Sequence, residues 1–137
     1  MEPMKIGYSL FFGQRYDAEL AANNIEKVMD RFQLDENIIA YRGASRRHYE
    51  NLNVGDSYEH KQFISTSIER SQAEIYLTKS KKINPIMMEI RIPKRTKCMY
   101  IGANGMYFNE RELLLNRNLK YTVVSKDDKL LVLEVIM

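Results

Sequence analysis

A chain of 137 residues is long enough to bury one hydrophobic core but short for two, so a single domain over residues 1–137 is expected. Apolar residues make up 45% of the sequence and charged residues 28%; the net charge of +3 permits an anionic ligand but does not predict nucleic-acid binding. One cysteine and two widely spaced histidines exclude an internal disulfide and predict no metal site, and no apolar run is long enough to span a membrane.

The predicted elements are helical early in the chain and extended later. Apolar residues at helical spacing predict helices over 17–32, with Asp17 as its N-cap, and over 69–79. A brief capped helix is predicted over 45–52. Apolar or alternating segments predict strands over 37–43, 63–67, 86–92, 97–101 and 113–115, and a final hairpin of 119–124 and 130–136. This order predicts an α+β fold.

The first predicted strand ends in Arg42 and Gly43. An arginine cannot shed its charge, so a buried one needs an anionic partner, and its planar fork suits a phosphate or a carboxylate. A following glycine lets a ligand approach the backbone closely. The pattern fits an anion site, but an ordinary strand-end arginine that reaches solvent is the more common origin of such a pattern.

Three hydroxyl side chains, Ser65, Thr66 and Ser67, follow Phe63 and Ile64 in the second predicted strand. Such hydroxyls can bind a ligand or hold a carboxylate still. They can also satisfy the local backbone, which is their common role at strand ends.

Two carboxylates, Glu110 and Glu112, lie where a polar, aromatic loop meets the apolar run 113–115. In an extended segment the side chains at i and i+2 point to the same face, so both are expected to converge on one spot. Such a pair can polarise a sugar hydroxyl, stabilise a developing positive charge or take a proton from an acceptor. Glutamates in a loop are, however, most often merely solvated.

The order Tyr-Arg-Gly, Ser-Thr-Ser, Glu-x-Glu resembles the Arg-Ser-Glu class of mono-ADP-ribosyltransferases, most closely the exoenzyme branch of bacterial and phage toxins. The matching segments are 41–43, 63–67, 90–94 and 110–115. The resemblance implies two small antiparallel sheets that form an NAD cleft, with flanking helices. It also implies transfer of ADP-ribose from NAD to an arginine of a protein target, with release of nicotinamide.

The resemblance assigns the binding of NAD to six residues, Glu112 and five others. Arg42 would hold an NAD phosphate and steady the ribose, and the backbone of Gly43 would meet the nicotinamide carboxamide. Ser65 would orient the catalytic glutamate, while Thr66 and Ser67 would shape the floor of the site.

The resemblance divides the reaction between the two glutamates. Glu112 would be the catalytic carboxylate that hydrogen-bonds the nicotinamide ribose, and Glu110 would face the acceptor, with Tyr107 in the acceptor-recognition loop. The chemistry fits independently, because cleavage of the nicotinamide–ribose bond passes through an oxocarbenium-like state that a fixed carboxylate stabilises.

Some assignments stay open at this stage. A second residue for the NAD phosphates is not placed, and Arg70 and Tyr76 are candidates. The acceptor is expected to be a protein, with nucleic acid as the alternative and a degenerate NAD-binding module as a third interpretation. An antitoxin, immunity or companion protein is a further partner that this class allows. The expected location is the cytoplasm of the producing or the target cell.

Overall fold

The computed structural model describes residues 11–79, 84–102 and 111–137, which belong to two compact units that meet between Arg31 and Phe32 in the sequence. The first unit contains helix α1, Phe11–Met29. This helix begins before the predicted start at residue 17, which is possible since residues 11–16 contain no proline that would interrupt its hydrogen bonds. Asp17 therefore lies inside α1, and its prediction as the N-cap is wrong. The single domain over 1–137 stays a prediction.

The second unit carries the remaining elements of the described chain. Its strands are β1 (Ile38–Ser45), β2 (Ser57–His60), β3 (Ile64–Ser67), β4 (Pro85–Ile92), β5 (Cys98–Gly102), β6 (Glu112–Leu115), β7 (Leu119–Lys126) and β8 (Leu130–Ile136). A 3₁₀ helix spans Arg46–Tyr49, and helix α2 spans Arg70–Lys79. The α+β class and the predicted strands are confirmed.

Two local predictions differ from the structure. Strand β2 was not predicted, because it is short and polar and half-buries only Tyr58 and His60. The helix predicted over 45–52 is a single 3₁₀ turn, and Ser45 makes no capping side-chain hydrogen bond to it.

The strands form one sheet in the order β2-β7-β8-β4-β1-β3-β6-β5. All neighbours are antiparallel except β4 and β8, which are parallel. The sheet narrows between β1 and β3, where the pairing is confined to Tyr41 opposite Ser67. The predicted pair of separate antiparallel sheets is therefore not confirmed, since this narrow junction joins the two groups of strands into one sheet.

The core collects buried side chains from both sides of this junction. Side chains alternate between the two faces of a strand, so every second side chain of each strand points to the core. The core residues are Ala40, Ala44, Tyr49, Ile64, Ile86, Met88, Ile90, Ile92, Cys98, Leu113, Leu115, Tyr121, Val123, Leu131, Leu133 and Val135. A single core thus spans both strand groups and brings the ends of β1, β3 and β6 together.

Candidate active site

Arg42 lies on the core face of β1. Its neighbours at i−2 and i+2, Ala40 and Ala44, are buried in the core, and the residue opposite it on β4 is the fully buried Met88. The Arg42 guanidinium crosses to β3 and donates from Nη1 to the carbonyl oxygen of Ser65 at 2.8 Å. This bond connects β1 and β3 in addition to their single backbone pair. The Arg42 side chain therefore helps to hold the two strands together at the narrow junction of the sheet.

Most of the donors of Arg42 make no hydrogen bond to the described residues. A guanidinium carries five N–H donors, and within the described residues only the bond to Ser65 engages any of them. The guanidinium is thus held at one nitrogen and can present the others to an anion.

Ser65 links this arginine to a carboxylate. The register pairs Ser67 with Glu112 and Ser65 with Leu114, so Ser65 and Glu112 are diagonal neighbours on one face of β3 and β6. The Ser65 hydroxyl donates to Oε2 of Glu112. Oε1 of Glu112 has no hydrogen bond to any described residue. Among the described residues, the carboxylate is therefore oriented through one oxygen only, and none of them engages the other.

Arg42, Ser65 and Glu112 thus form one connected chain at the sheet junction. One end offers N–H donors to an anion, and the other offers a fixed carboxylate to a hydroxyl or a developing positive charge. An enzyme that binds a phosphorylated sugar and breaks a bond at its anomeric carbon needs both the N–H donors and the fixed carboxylate.

Two of the predicted hydroxyls serve the backbone. Thr66 is 4% exposed, and its Oγ1 donates to the carbonyl of Leu113 at 2.7 Å. The Ser67 hydroxyl accepts from the N–H of Glu69 at 3.0 Å, immediately before α2. Both bonds involve residues of β3, the strand that carries Ser65. Contact of Thr66 and Ser67 with a cofactor stays a prediction.

Gly43 lies on the opposite face of β1 from Arg42, beneath α2. A Cβ built on Gly43 would lie 2.7 Å from both Cγ and Cδ2 of Leu77. Glycine is therefore required here for the close approach of helix to sheet. Contact of the Gly43 backbone with a ligand stays a prediction.

We expect Gly43→Ala to lower the free energy of unfolding by about 1–3 kcal/mol, because the new methyl group overpacks against Leu77. Urea unfolding of both single variants and of the double variant with Leu77→Ala would measure this. Since Leu77→Ala removes the clashing atoms, Gly43→Ala should cost little in that background. An equal cost in both backgrounds would contradict the packing explanation.

The second predicted glutamate, Glu110, and Tyr107 lie outside the described residues. Arg111, which separates the two glutamates, has a φ of 49° and is not extended, and β6 begins only at Glu112. The argument that placed both glutamates on one face assumed an extended segment, so it does not hold across Arg111.

Comparison with known proteins identifies the family of the chain. The profile of the ADP-ribosyltransferase exoenzyme family matches residues 13–135. The chain belongs to this family. The resemblance that the motifs predicted is thereby confirmed.

The relatives of this exoenzyme domain include larger proteins. The chain is 40% identical over 107 residues to the NAD(+)–arginine ADP-ribosyltransferase EFV of Enterococcus faecalis (strain ATCC 700802 / V583), a match that covers 77% of this chain and 21% of that relative. The chain thus spans about a fifth of the length of this relative.

Solved structures share the fold at low sequence identity. The ADP-ribosyltransferase Vis superposes with a TM-score of 0.73 at 17% identity, covering 97% of this chain and 64% of Vis, and Vis has also been solved with agmatine. The enzyme C3stau2 of S. aureus, solved with NAD, superposes with a TM-score of 0.69 at 17% identity, covering 84% of this chain and 69% of C3stau2.

The candidates for a second phosphate contact in this exoenzyme domain are less well supported. The Arg70 guanidinium lies 5.8 Å from the ring centre of Tyr41, and its Nε lies 3.3 Å from Glu74 Oε2. Tyr41 and Arg42 are successive strand residues and point to opposite faces. This weighs against Arg70 and Arg42 binding the same phosphate. The side chain of Tyr76 lies outside the described residues.

Two groups near the Arg42 charge, Tyr49 and His60, are uncharged at neutral pH. Burial, and then the Arg42 charge, lower the pKa of His60, so its imidazole is neutral. Burial raises the pKa of Tyr49 against the opposing effect of Arg42. Burial also raises the pKa of Cys98 to about 11, which makes its protonated thiol a poor nucleophile.

The described residues contain neither a cluster of metal ligands nor a membrane-spanning helix. No group of three or more His, Cys, Asp or Glu side chains there could hold a metal ion. No helix in the described ranges is long and apolar enough to cross a membrane.

We expect Ser65→Ala to lower kcat for NAD hydrolysis roughly ten- to hundredfold while the protein stays folded, because the hydroxyl that orients Glu112 is lost. Steady-state assays of nicotinamide release would measure the effect. Ser57→Ala is the matched control, since Ser57 Oγ lies 3.0 Å from Thr122 Oγ1 on distant strands and contacts no site residue. Unchanged turnover would show that Ser65 is an ordinary strand-end serine whose hydroxyl is not needed for the reaction.

Proposed function

We propose that this exoenzyme domain is an NAD-dependent mono-ADP-ribosyltransferase that transfers ADP-ribose to an arginine of a protein and releases nicotinamide. The observation that carries the proposal is the connected chain of Arg42, Ser65 and Glu112. It joins an anion-binding group to an oriented carboxylate at the junction of the sheet.

Arg42 would bind NAD through its phosphates. Its free N–H donors suit the bidentate geometry of a phosphate, and the bond to Ser65 fixes the plane of the guanidinium. No metal is required in this scheme, because the arginine supplies the positive charge.

Glu112 would act on the nicotinamide ribose. Ser65 holds Oε2, and Oε1 would accept a hydrogen bond from a ribose hydroxyl. As the C–N bond to nicotinamide breaks, its electron pair leaves with nicotinamide, which departs as a neutral molecule and needs no general acid. The negative charge of Glu112 then stabilises the positive charge that develops on the ribose, mainly in the transition state.

Arginine is the proposed acceptor. The support is the name of the E. faecalis relative, an NAD(+)–arginine ADP-ribosyltransferase, and the Glu-x-Glu motif at 110–112. A guanidinium nitrogen would attack the anomeric carbon, form the new C–N bond and release a proton, which Glu110 would accept. The net charge of +3 does not favour nucleic acid over a protein acceptor.

The test uses NAD labelled in its ADP-ribose part. The chain is incubated with this NAD alone, with NAD and agmatine as a small guanidino acceptor, and with NAD and a cell lysate. We expect nicotinamide release in all three, a labelled agmatine adduct, and macromolecular label that protease removes and nuclease leaves.

Each other outcome points to a different function. Label removed by nuclease and not by protease would favour a nucleic-acid acceptor. Nicotinamide release without an agmatine adduct would contradict the arginine acceptor but keep NAD chemistry. No nicotinamide release, with NAD binding retained, would favour a degenerate NAD-binding module.

A further inference from the structure

The residue before the proposed catalytic glutamate has an unusual backbone. Four non-glycine residues of the described chain have a positive φ: Asn84 (57°), Arg95 (76°), Arg111 (49°) and Asn118 (65°). A residue with a Cβ adopts this left-handed conformation at a cost, and asparagine tolerates it better than arginine does. Arg111 is the member of this set that directly adjoins a site residue, Glu112. Backbone strain of this kind is concentrated at functional sites.

Two contacts hold Arg111 in place. Its carbonyl oxygen accepts a hydrogen bond from the N–H of Ile68 at 3.1 Å. Its Nη1 lies 3.6 Å from Glu69 Oε2, and the two side chains are 56% and 47% exposed. An ion pair this exposed contributes little. Of these two contacts, the backbone bond contributes more to holding the conformation.

These contacts tie Glu112 to the Ser-Thr-Ser segment. Ile68 directly follows Ser67, and Ser67 is paired with Glu112 across β3 and β6. The Ile68–Arg111 bond thus continues this pairing by one residue on each strand. The direction in which Glu112 leaves the backbone follows from the dihedral angles of the residue before it, and the Ser65–Glu112 bond depends on that direction.

We propose that Arg111 is a positioning residue, whose left-handed backbone aims the Glu112 carboxylate at Ser65. The inference rests on the proposed role of Glu112 in NAD cleavage. It assigns the function of Arg111 to its backbone conformation and not to its charge.

The test compares substitutions by their tolerance of positive φ. Arg111→Gly adopts this conformation freely, whereas β-branched Arg111→Val disfavours it strongly. We expect Arg111→Val to lower kcat for NAD hydrolysis at least tenfold, because small misplacements of a catalytic group are costly, while KM for NAD changes less than threefold. Arg111→Gly, which also lacks the guanidinium, should keep kcat within about threefold of the parent.

Arg95→Val is the matched control. Arg95 also has a positive φ, of 76°, but lies in the turn between β4 and β5. The same substitution should lower the melting temperature there without lowering kcat. If Arg111→Val does not melt cooperatively, Arg111→Thr takes its place as a smaller β-branched residue.

Three results would overturn the inference. Arg111→Val with the kcat of the parent would do so, as would an equal loss of kcat in Arg111→Gly and Arg111→Val. A similar loss in Arg95→Val would show that kcat follows general stability. If the parent chain releases no nicotinamide, the proposed function fails and the inference fails with it. If the parent is active, the proposed function stands and the Arg111 variants test the inference by itself.

Discussion

Glu112→Gln is expected to lower both NAD hydrolysis and transfer to arginine about 10²–10³-fold, the size of effect seen when one group that stabilises transition-state charge is removed. Both reactions break the same nicotinamide–ribose bond and need the same negative charge. Glutamine keeps the shape of the side chain and can still accept the Ser65 hydrogen bond, so the change isolates the charge. Nicotinamide release with and without agmatine would measure it.

The other glutamate should behave differently. Glu110→Gln is expected to lower transfer to agmatine much more than hydrolysis, because water needs no positioned guanidinium. Glu134→Gln, an exposed position on β8, is the matched control for loss of one carboxylate and should leave both rates unchanged. Melting curves of all three variants would exclude a difference in folding. Equal damage to hydrolysis from Glu110→Gln and Glu112→Gln would show that the two carboxylates do not divide the reaction.

Arg42→Lys should weaken NAD binding roughly ten- to hundredfold although the positive charge is kept. A lysine has no planar fork, and the loss of a charge-assisted hydrogen bond costs about 1.5–3 kcal/mol. It would also lose the geometry of the bond to the Ser65 carbonyl, which holds β1 against β3. Titration calorimetry with NAD would measure the affinity.

The control for this change is Arg91→Lys. Arg91 is an exposed strand arginine on β4, with its Nε 3.8 Å from Glu89 Oε2, so the same substitution there should leave NAD affinity unchanged. If Arg42→Lys bound NAD as tightly as the parent, the proposal that Arg42 binds an NAD phosphate would be wrong. A fall in affinity accompanied by an equal fall in Arg91→Lys would indicate a general loss of stability instead.

Local patterns in the sequence predicted much of the fold. In β4 the alternation of the sequence puts Ile86, Met88, Ile90 and Ile92 on one face, and all four are buried, while Arg91 on the other face is exposed. Met87, on the other face, is also buried, which alternation alone did not predict. Helix α2 packs against β1 and β4, and the pattern within one strand carries no information about a helix elsewhere.

The same limit explains why strand β2 and the packing role of Gly43 were not predicted. Strand β2 has too few apolar residues to stand out, and it pairs with β7, which lies far along the chain. The reason for Gly43 also became visible only with Leu77 above it. In both cases the deciding partner is distant in sequence, so local propensity could not identify it.

The sequence by itself determined the residue types of the site and their order, because the charge of Arg42, the hydroxyl of Ser65 and the carboxylate of Glu112 are properties of single residues. It could not determine how they meet. The atoms that join them come from residues 23 and 47 positions apart, and strand register alone brings them together. Only the tertiary structure decided that the two strand groups form one sheet and that a left-handed Arg111 precedes Glu112. Both depend on long-range backbone pairing, which a one-dimensional pattern does not encode.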